Sequence, residues 1–229
     1  MKTILITGAS KGIGFQTALN LASQGNKVFA LARSLSELNK LTSSYPDLIT
    51  PIDMDITDQN EYAKLFEALS DTPHLDGIIN NAGILINTPF IESTIDDWRL
   101  QFEVNVFAVV QLIQSLRQKL GTGSHIVNIG SMGGFQGSDK FSGLSAYSAS
   151  KGALAILSEC LNVELASDGI AVNCLALGAV QTEMLSQAFP GYKAPTSPET
   201  MAEFISDFTL TGHSIFSGKI LPVALNNPG

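Results

Sequence analysis

Two cysteines, Cys160 and Cys174, and three scattered histidines, His74, His125 and His213, are all that the sequence offers a transition metal or a thiol redox couple. Their spacing matches no zinc or thiol–disulfide pattern, and each cysteine lies in an apolar stretch where a buried thiol is the ordinary state. No metal site is expected, and single histidines far apart give no His-based triad. Charge is scarce too. Charged residues make up 15%, against a usual share of about 25%, and no run of Lys and Arg occurs. With 13 basic against 21 acidic residues and a net charge of −8, a surface for nucleic acid or anionic membrane is not expected. Long apolar runs are missing as well: the first stops after Ile6, short of a signal core of about 7–15 residues or a membrane span of about 20. The sequence points to a cytoplasmic protein with no membrane or nucleic-acid partner.

What is present is apolar. Hydrophobic residues reach 45% of 229, enough for one large domain over 1–229 at about 150 residues per domain. Apolar, β-branched runs at 2–7, 27–32, 48–53, 75–80, 125–130, 170–176 and 219–224 alternate with stretches of helical period at 13–25, 35–44, 58–70, 94–120, 146–167 and 198–209. Alternation of this kind predicts a three-layer α/β fold with a doubly wound parallel sheet of Rossmann type. The strand runs are continuous rather than alternating, as strands covered on both faces should be. The segment 153–163 is apolar around much of its circumference, which predicts a subunit contact in addition to the sheet.

The first strand runs straight into Thr7-Gly8-Ala9-Ser10-Lys11-Gly12-Ile13-Gly14. Glycines there let the backbone approach a pyrophosphate whose charge the following helix N-terminus stabilises. The spacing is neither the common dinucleotide fingerprint nor a P-loop, and a purely structural strand-to-helix turn is the other reading. The second strand ends at Ala30-Leu31-Ala32-Arg33 with no carboxylate before Glu37. A ribose 2′-phosphate would meet Arg33 and Lys11, whereas NAD would find no acceptor for its 2′-hydroxyl, so NADP(H) is the better fit. Farther on, Tyr147 and Lys151 are spaced to share one helix face, where a cation beside a phenol favours the phenolate; alone, that pairing is common surface chemistry.

Jointly, the glycine turn at 7–14, Asn80-Asn81-Ala82-Gly83 after the fourth strand, Asn105 in the long helix, and Ser131 followed by Tyr147 and Lys151 resemble the short-chain dehydrogenase/reductase family over essentially the whole chain. The resemblance implies that Gly8, Ser10, Lys11, Gly12, Ile13 and Gly14 hold the pyrophosphate side of the cofactor. It places Asp55 and Ile56 beside the adenine. Asn81, Ala82 and Gly83 then support the adenosine ribose and the central sheet, and Val180 and Thr182 hold the nicotinamide carboxamide. It further implies that Tyr147 passes a proton to a carbonyl oxygen and that Ser131 hydrogen-bonds that oxygen. Lys151 would bind the nicotinamide ribose and lower the Tyr147 pKa, and Asn105 would position water in a relay to Lys151. A carbonyl reductase, a 3-oxoacyl-thioester reductase and a non-catalytic redox sensor all share this frame, as does the family's habit of forming dimers and tetramers, of which a homotetramer is preferred here.

Two departures stand out. Ser131 and Tyr147 are 16 residues apart, wider than the family's usual spacing, and the longer loop at 132–146 offers Ser138, Ser142 and Ser145 as rivals to Ser131. Leu177-Gly178 replaces the usual Pro-Gly, which frees a torsion beside the nicotinamide and points to weaker cofactor binding. A serine hydrolase is not supported, because Ile129 stands where a nucleophile elbow needs glycine. A carrier-bound thioester would find only Arg117 and Lys119 in 117–124 to dock on. The segment 183–197, with Pro190-Gly191 and Pro195, reads as a short substrate lid whose Met184, Leu185, Phe189 and Tyr192 favour an apolar carbonyl or alcohol.

Overall fold

The computed structural model describes residues 1–225. Seven parallel strands form one sheet: β1 (Thr3–Thr7), β2 (Lys27–Ala32), β3 (Ile49–Asp53), β4 (Gly77–Asn80), β5 (His125–Ser131), β6 (Ala171–Leu177) and β7 (Ile220–Val223). Their spatial order is β3-β2-β1-β4-β5-β6-β7. Neighbouring residues of one strand serve opposite faces, so each strand contributes to two cores. Ile4, Ile6, Val28, Ala30, Val127 and Leu175 pack on one side. They meet α1 (Gly12–Ser23), α2 (Leu35–Ser44) and α8 (Pro198–Thr211). Leu5, Phe29, Leu31, Ile78, Ile126 and Val172 pack on the other. That face is covered by α3 (Tyr62–Ala68), α5 (Ala108–Ser115) and α6 (Ser145–Leu165). The three-layer, doubly wound architecture is the expected one, and full burial of each such aliphatic side chain contributes about 1.5–3 kcal/mol.

Three features differ from the sequence reading. The helical stretch expected at 94–120 is α4 (Ile95–Phe102), a π-helical turn at Glu103–Phe107, then α5. The wide turn falls on Asn105, and such insertions in an α-helix commonly mark functional positions. Cys174 is buried as expected, but Cys160 is exposed, because helical spacing puts it on the outer face of α6 with Ile156 and Val163, themselves 59% and 76% exposed. Residues 183–197 open with a short helix, α7 (Glu183–Ala188), which ends just before Pro190-Gly191.

Because every strand is parallel, their carboxyl ends share one edge. Chain direction along the sheet reverses between β1 and β4, and the crevice outside that switch point is where an open α/β sheet receives ligands. Thr7, Asn80 and Ser131 end the strands that border it. Among the described residues, no helix is long and apolar enough to cross a membrane, and no group of three His, Cys, Asp or Glu side chains could hold a metal ion.

Candidate active site

A cleft of about 510 Å³ runs along this edge. At its centre the chain leaves β1 through Gly8 and Gly12, whose φ of 68° and 58° lie in the left-handed region. A Cβ on Gly8 would stand 2.8 Å from the Ala82 Cα, and one on Gly14 would stand 2.3 Å from the Gly8 carbonyl oxygen. Both are backbone contacts that cannot yield. The Asn81 amide locks the turn by donating to the Thr7 and Gly8 carbonyls at 3.0 and 3.1 Å. The Thr7 hydroxyl accepts from the N–H groups of Asn81 and Ala82. Helix α1 then starts with no capping side chain and no acid in its first turn, so its orphan N–H groups face the cleft beside Ser10, Lys11 and Ile13. Gly14 lies under the turn rather than on the cleft wall, where it allows Gly8 to pack.

One end of the cleft is closed by the ends of β2 and β3. Arg33 is 77% exposed and its Nη1 lies 3.8 Å from Asp55 Oδ2. Asp55 Oδ1 accepts from the Thr57 N–H and hydroxyl at 2.9 and 2.7 Å. Burial pushes the Asp55 carboxyl up, but the two Thr57 contacts and then the Arg33 cation outweigh it and hold it below the ordinary value. Ile56 and Met54 give this end an apolar wall. The Arg33–Asp55 contact was invisible in the sequence, since it depends on the pairing of Ala32 with Asp53 across two strands.

At the other end, Ser131 finishes β5 and Tyr147 and Lys151 lie one turn apart on α6. The turn Met132–Gly134 rests directly on that helix: a Cβ on Gly134 would come within 2.5 Å of the Gly152 nitrogen. This glycine contact, which sequence reasoning missed, is what brings Ser131 to Tyr147. Ser131 Oγ accepts from the Gly133 N–H at 3.1 Å, leaving its own O–H to donate into the cleft. Ser138 is instead spent on the carbonyls of Met132 and Phe135, and of the four candidate serines Ser131 alone lines the cleft.

Lys151 is 4% exposed. Its ammonium donates to the Ile129 carbonyl at 2.8 Å and sits 5.9 Å from the centre of the Tyr147 ring. Burial lowers its pKa to about 8. Burial also raises the Tyr147 pKa, with the Ser131 hydroxyl acting in the opposite direction. In the protein alone, therefore, the phenol lies above its ordinary range, opposite to the expected lowering by Lys151, because desolvation dominates.

Asn105 is fully buried on the π-helical turn. Its amide donates to the Ile84 carbonyl and to Ser150 Oγ, while its oxygen accepts from the Ile84 N–H. It thus ties the strand-following segment to α6 beside Lys151. Gly83 passes between them, and a Cβ there would lie 3.0 Å from Asn105 Oδ1 and 3.3 Å from Lys151 Nζ. Beneath the site runs a buried polar row that the sequence did not reveal. Asn80 donates to Asn128, Asn128 to Ser158, and Ser158 to the Leu154 carbonyl.

Above Lys151, β6 ends at Leu177, which pairs with Ser131 on one side and Val223 on the other. The residue expected to loosen this backbone is instead held in the ladder. Val180 is buried and bridges to Thr196, and Thr182 Oγ1 accepts from the Leu185 N–H to cap α7. Met184, Leu185, Phe189 and Tyr192 line the cleft opposite Phe141, whose ring centre is 6.3 Å from that of Phe189. A Cβ on Gly12 would lie 3.4 Å from Thr182 Cγ2, so the glycine turn and the turn after β6 nearly meet. An uncapped helix start in a glycine cradle, with polar groups at both ends of an elongated cleft, fits a dinucleotide.

Comparison with known proteins agrees. A family model described as short chain dehydrogenase matches residues 2–193. The chain is 34% identical over 194 residues to dehydrogenase/reductase SDR family member 11 of Gallus gallus, covering 79% of this chain and 75% of that one. It is 34% identical over 184 residues to L-xylulose reductase of Mesocricetus auratus, covering 79% and 72%. A 3-ketoacyl-(acyl-carrier-protein) reductase from Brucella melitensis, solved in complex with NADH, superimposes with a TM-score of 0.85 at 25% identity over 97% of this chain and 96% of that one. With the glycine cradle and the serine, tyrosine and lysine brought together at one sheet edge, these likenesses establish that the chain belongs to the short-chain dehydrogenase/reductase family of oxidoreductases that bind a nicotinamide dinucleotide.

Proposed function

We propose that the protein is an NADP(H)-dependent oxidoreductase that interconverts a small apolar carbonyl compound and its alcohol, with Tyr147 as general acid and base. The observation that carries the reading is the convergence of Ser131, Tyr147 and Lys151 at one end of a cleft whose middle is the glycine cradle. A bound nicotinamide supplies or accepts the hydride. Tyr147, protonated at neutral pH, gives its proton to the carbonyl oxygen in reduction and takes it back in oxidation. The O–H of Ser131, which lies beside the phenol in the protein alone, donates to the same oxygen and stabilises the charge that develops there. Lys151 holds the ribose next to the nicotinamide and offers a positive field to the phenol. Asn105 fixes the Ile84 backbone and α6 at the distance this geometry requires. Consumption of NADPH on addition of a carbonyl is the test.

Substrate preference follows from the wall around the reacting end. Met184, Leu185, Phe189, Tyr192 and Phe141 offer few polar partners for a sugar or an acid. A carrier-bound thioester is the less favoured alternative. Arg117 is paired with Asp168, and Lys119 donates to the carbonyls of Leu69 and Thr72, so neither is free to dock an acidic partner. A non-catalytic sensor would have no use for a serine, tyrosine and lysine held this close.

Two predictions belong to this reading. NADP(H) is preferred to NAD(H) because Arg33 is exposed at the adenosine end and no carboxylate ends β2. Calorimetry should find NADPH the tighter ligand in the wild type. The preference should shrink by about tenfold or more in Arg33→Ala, the scale of one charge-assisted contact; NADH binding as tightly as NADPH in the wild type contradicts it. The second concerns assembly. Ile156 and Val163 on α6, with Phe107 at the end of the π-helical turn, expose large apolar side chains, more than a lone domain needs to show. A homo-oligomer, by preference a tetramer, covers them. Light scattering at micromolar concentration should give a multiple of 24.3 kDa; a clean monomer contradicts it.

A further inference from the structure

Lys11 and Glu183 stand on opposite walls of the cleft, one in the glycine turn and the other at the start of α7. Lys11 Nζ lies 2.6 Å from Glu183 Oε2, and Glu183 Oε1 accepts from Gln187 one turn later at 3.3 Å. The two walls approach closely here, where the Cβ missing from Gly12 would touch Thr182. At the adenosine end the comparable contact, Arg33 to Asp55, is looser at 3.8 Å.

We propose that Glu183 is a cofactor-selectivity residue that competes with the ribose 2′-phosphate for Lys11. The inference rests on the reading that the cleft takes NADP(H) with Lys11 and Arg33 facing that phosphate. Lys11 is one cation, and an ammonium held at hydrogen-bond distance by a carboxylate is drawn toward the α7 wall with its charge partly neutralised, so less of it is left for a phosphate. The carboxylate also adds a negative charge to a cleft that has to admit several phosphate charges. Arg33 is the freer of the two cations, so it discriminates by itself while Lys11 contributes only the difference between two anions. Glu183 thereby sets the chain toward tolerance of both dinucleotides rather than strict use of one.

Both partners are more than half exposed, and exposed ion pairs are weak and salt-screened, so the effect is several-fold rather than orders of magnitude. Calorimetric titration with NADPH and with NADH, on the full chain and without substrate, tests it. In Glu183→Gln, NADPH should bind about threefold to tenfold tighter while NADH changes less than twofold, and the gain should fade in 0.5 M salt, where the screening length drops to about 4 Å. In a Lys11→Met background the same change should bring no NADPH-selective gain. Glu183→Ala guards against an amide that simply replaces the carboxylate as a partner, and should repeat the result. Unchanged NADPH affinity in both variants overturns the proposal, as does an equal gain for both cofactors or a gain that persists without Lys11. In each of those outcomes the cofactor reading itself survives. Absence of binding of either dinucleotide to the wild type overturns both.

Discussion

Replacing Tyr147 with Phe is expected to lower turnover by about 10²–10⁴-fold, the range of a lost general acid, with NADPH affinity unchanged. The expectation follows from what remains in the site. Ser131 keeps its O–H for the substrate oxygen, and Lys151 keeps its bond to Ile129, so the binding surface persists while the transferable proton is gone. The direction of the Tyr147 pKa adds a pH signature. Because burial holds the phenol protonated beyond its ordinary range, reduction should stay level from neutral into alkaline solution. Alcohol oxidation, which needs the proton to be accepted, should climb with pH over the same range. Steady-state kinetics in both directions, paired with cofactor calorimetry, check both parts. A Phe variant that keeps more than about a tenth of wild-type turnover removes the phenol from the mechanism.

Lys151→Met is expected to do two opposite things. Turnover should fall by about 10²-fold or more and NADPH affinity should drop, since in the proposed function one ammonium serves both the ribose and the phenol. The protein without cofactor should nevertheless become more stable. Lys151 is buried with a folded pKa of about 8 against an ordinary 10.5. At about 1.36 kcal/mol per unit, keeping the charge inside costs about 3 kcal/mol below pH 8. Between pH 8 and about 9 the unfolded chain holds a proton on Lys151 that the folded one releases, so the Lys151 contribution to wild-type stability rises with pH there and the Met variant lacks it; above about pH 9 the buried Cys174 thiol, pushed up to about 11, acts in the opposite direction. The lost charged bond to the Ile129 carbonyl offsets half or more of the gain, leaving up to about 1.5 kcal/mol. For a chain of this length that is a melting point higher by up to about 6 °C at pH 7. A lower melting point at pH 7, or a wild type whose stability between pH 8 and about 9 does not rise relative to that of the Met variant, contradicts the account.

Such a trade is understandable once the buried surroundings are known, and the surroundings were the part hidden from sequence. The strands were legible because parallel strands covered on two faces must be apolar throughout, and the glycine turn because Gly8 and Gly14 meet backbone that no side chain could share. Tyr147 and Lys151 follow from helical spacing plus the family pattern. The direction of the Tyr147 pKa does not, since it depends on how much protein lies over the phenol. Contacts across long sequence gaps were equally out of reach. Lys11 with Glu183 and Arg33 with Asp55 join elements that only the sheet order brings together, and Gly134 against Gly152 depends on how α6 folds back onto the end of β5. Leu177 shows the converse: a substitution that looks permissive in one dimension is fixed by two neighbouring strands in three. Cys160 shows how an apolar stretch hides the distinction between an inner and an outer helix face.

The central claim is catalytic: the cleft turns over a carbonyl rather than merely sensing a dinucleotide. Its most direct test follows NADPH absorbance in wild type and Tyr147→Phe against a panel of aliphatic and aromatic ketones and aldehydes, with sugars and carboxylated ketones as controls. The account predicts steady NADPH consumption by the wild type with at least one apolar member, little with the controls, and loss of that consumption in Tyr147→Phe. Tight NADPH binding with no consumption on any carbonyl, or equal consumption by the two proteins, would contradict it.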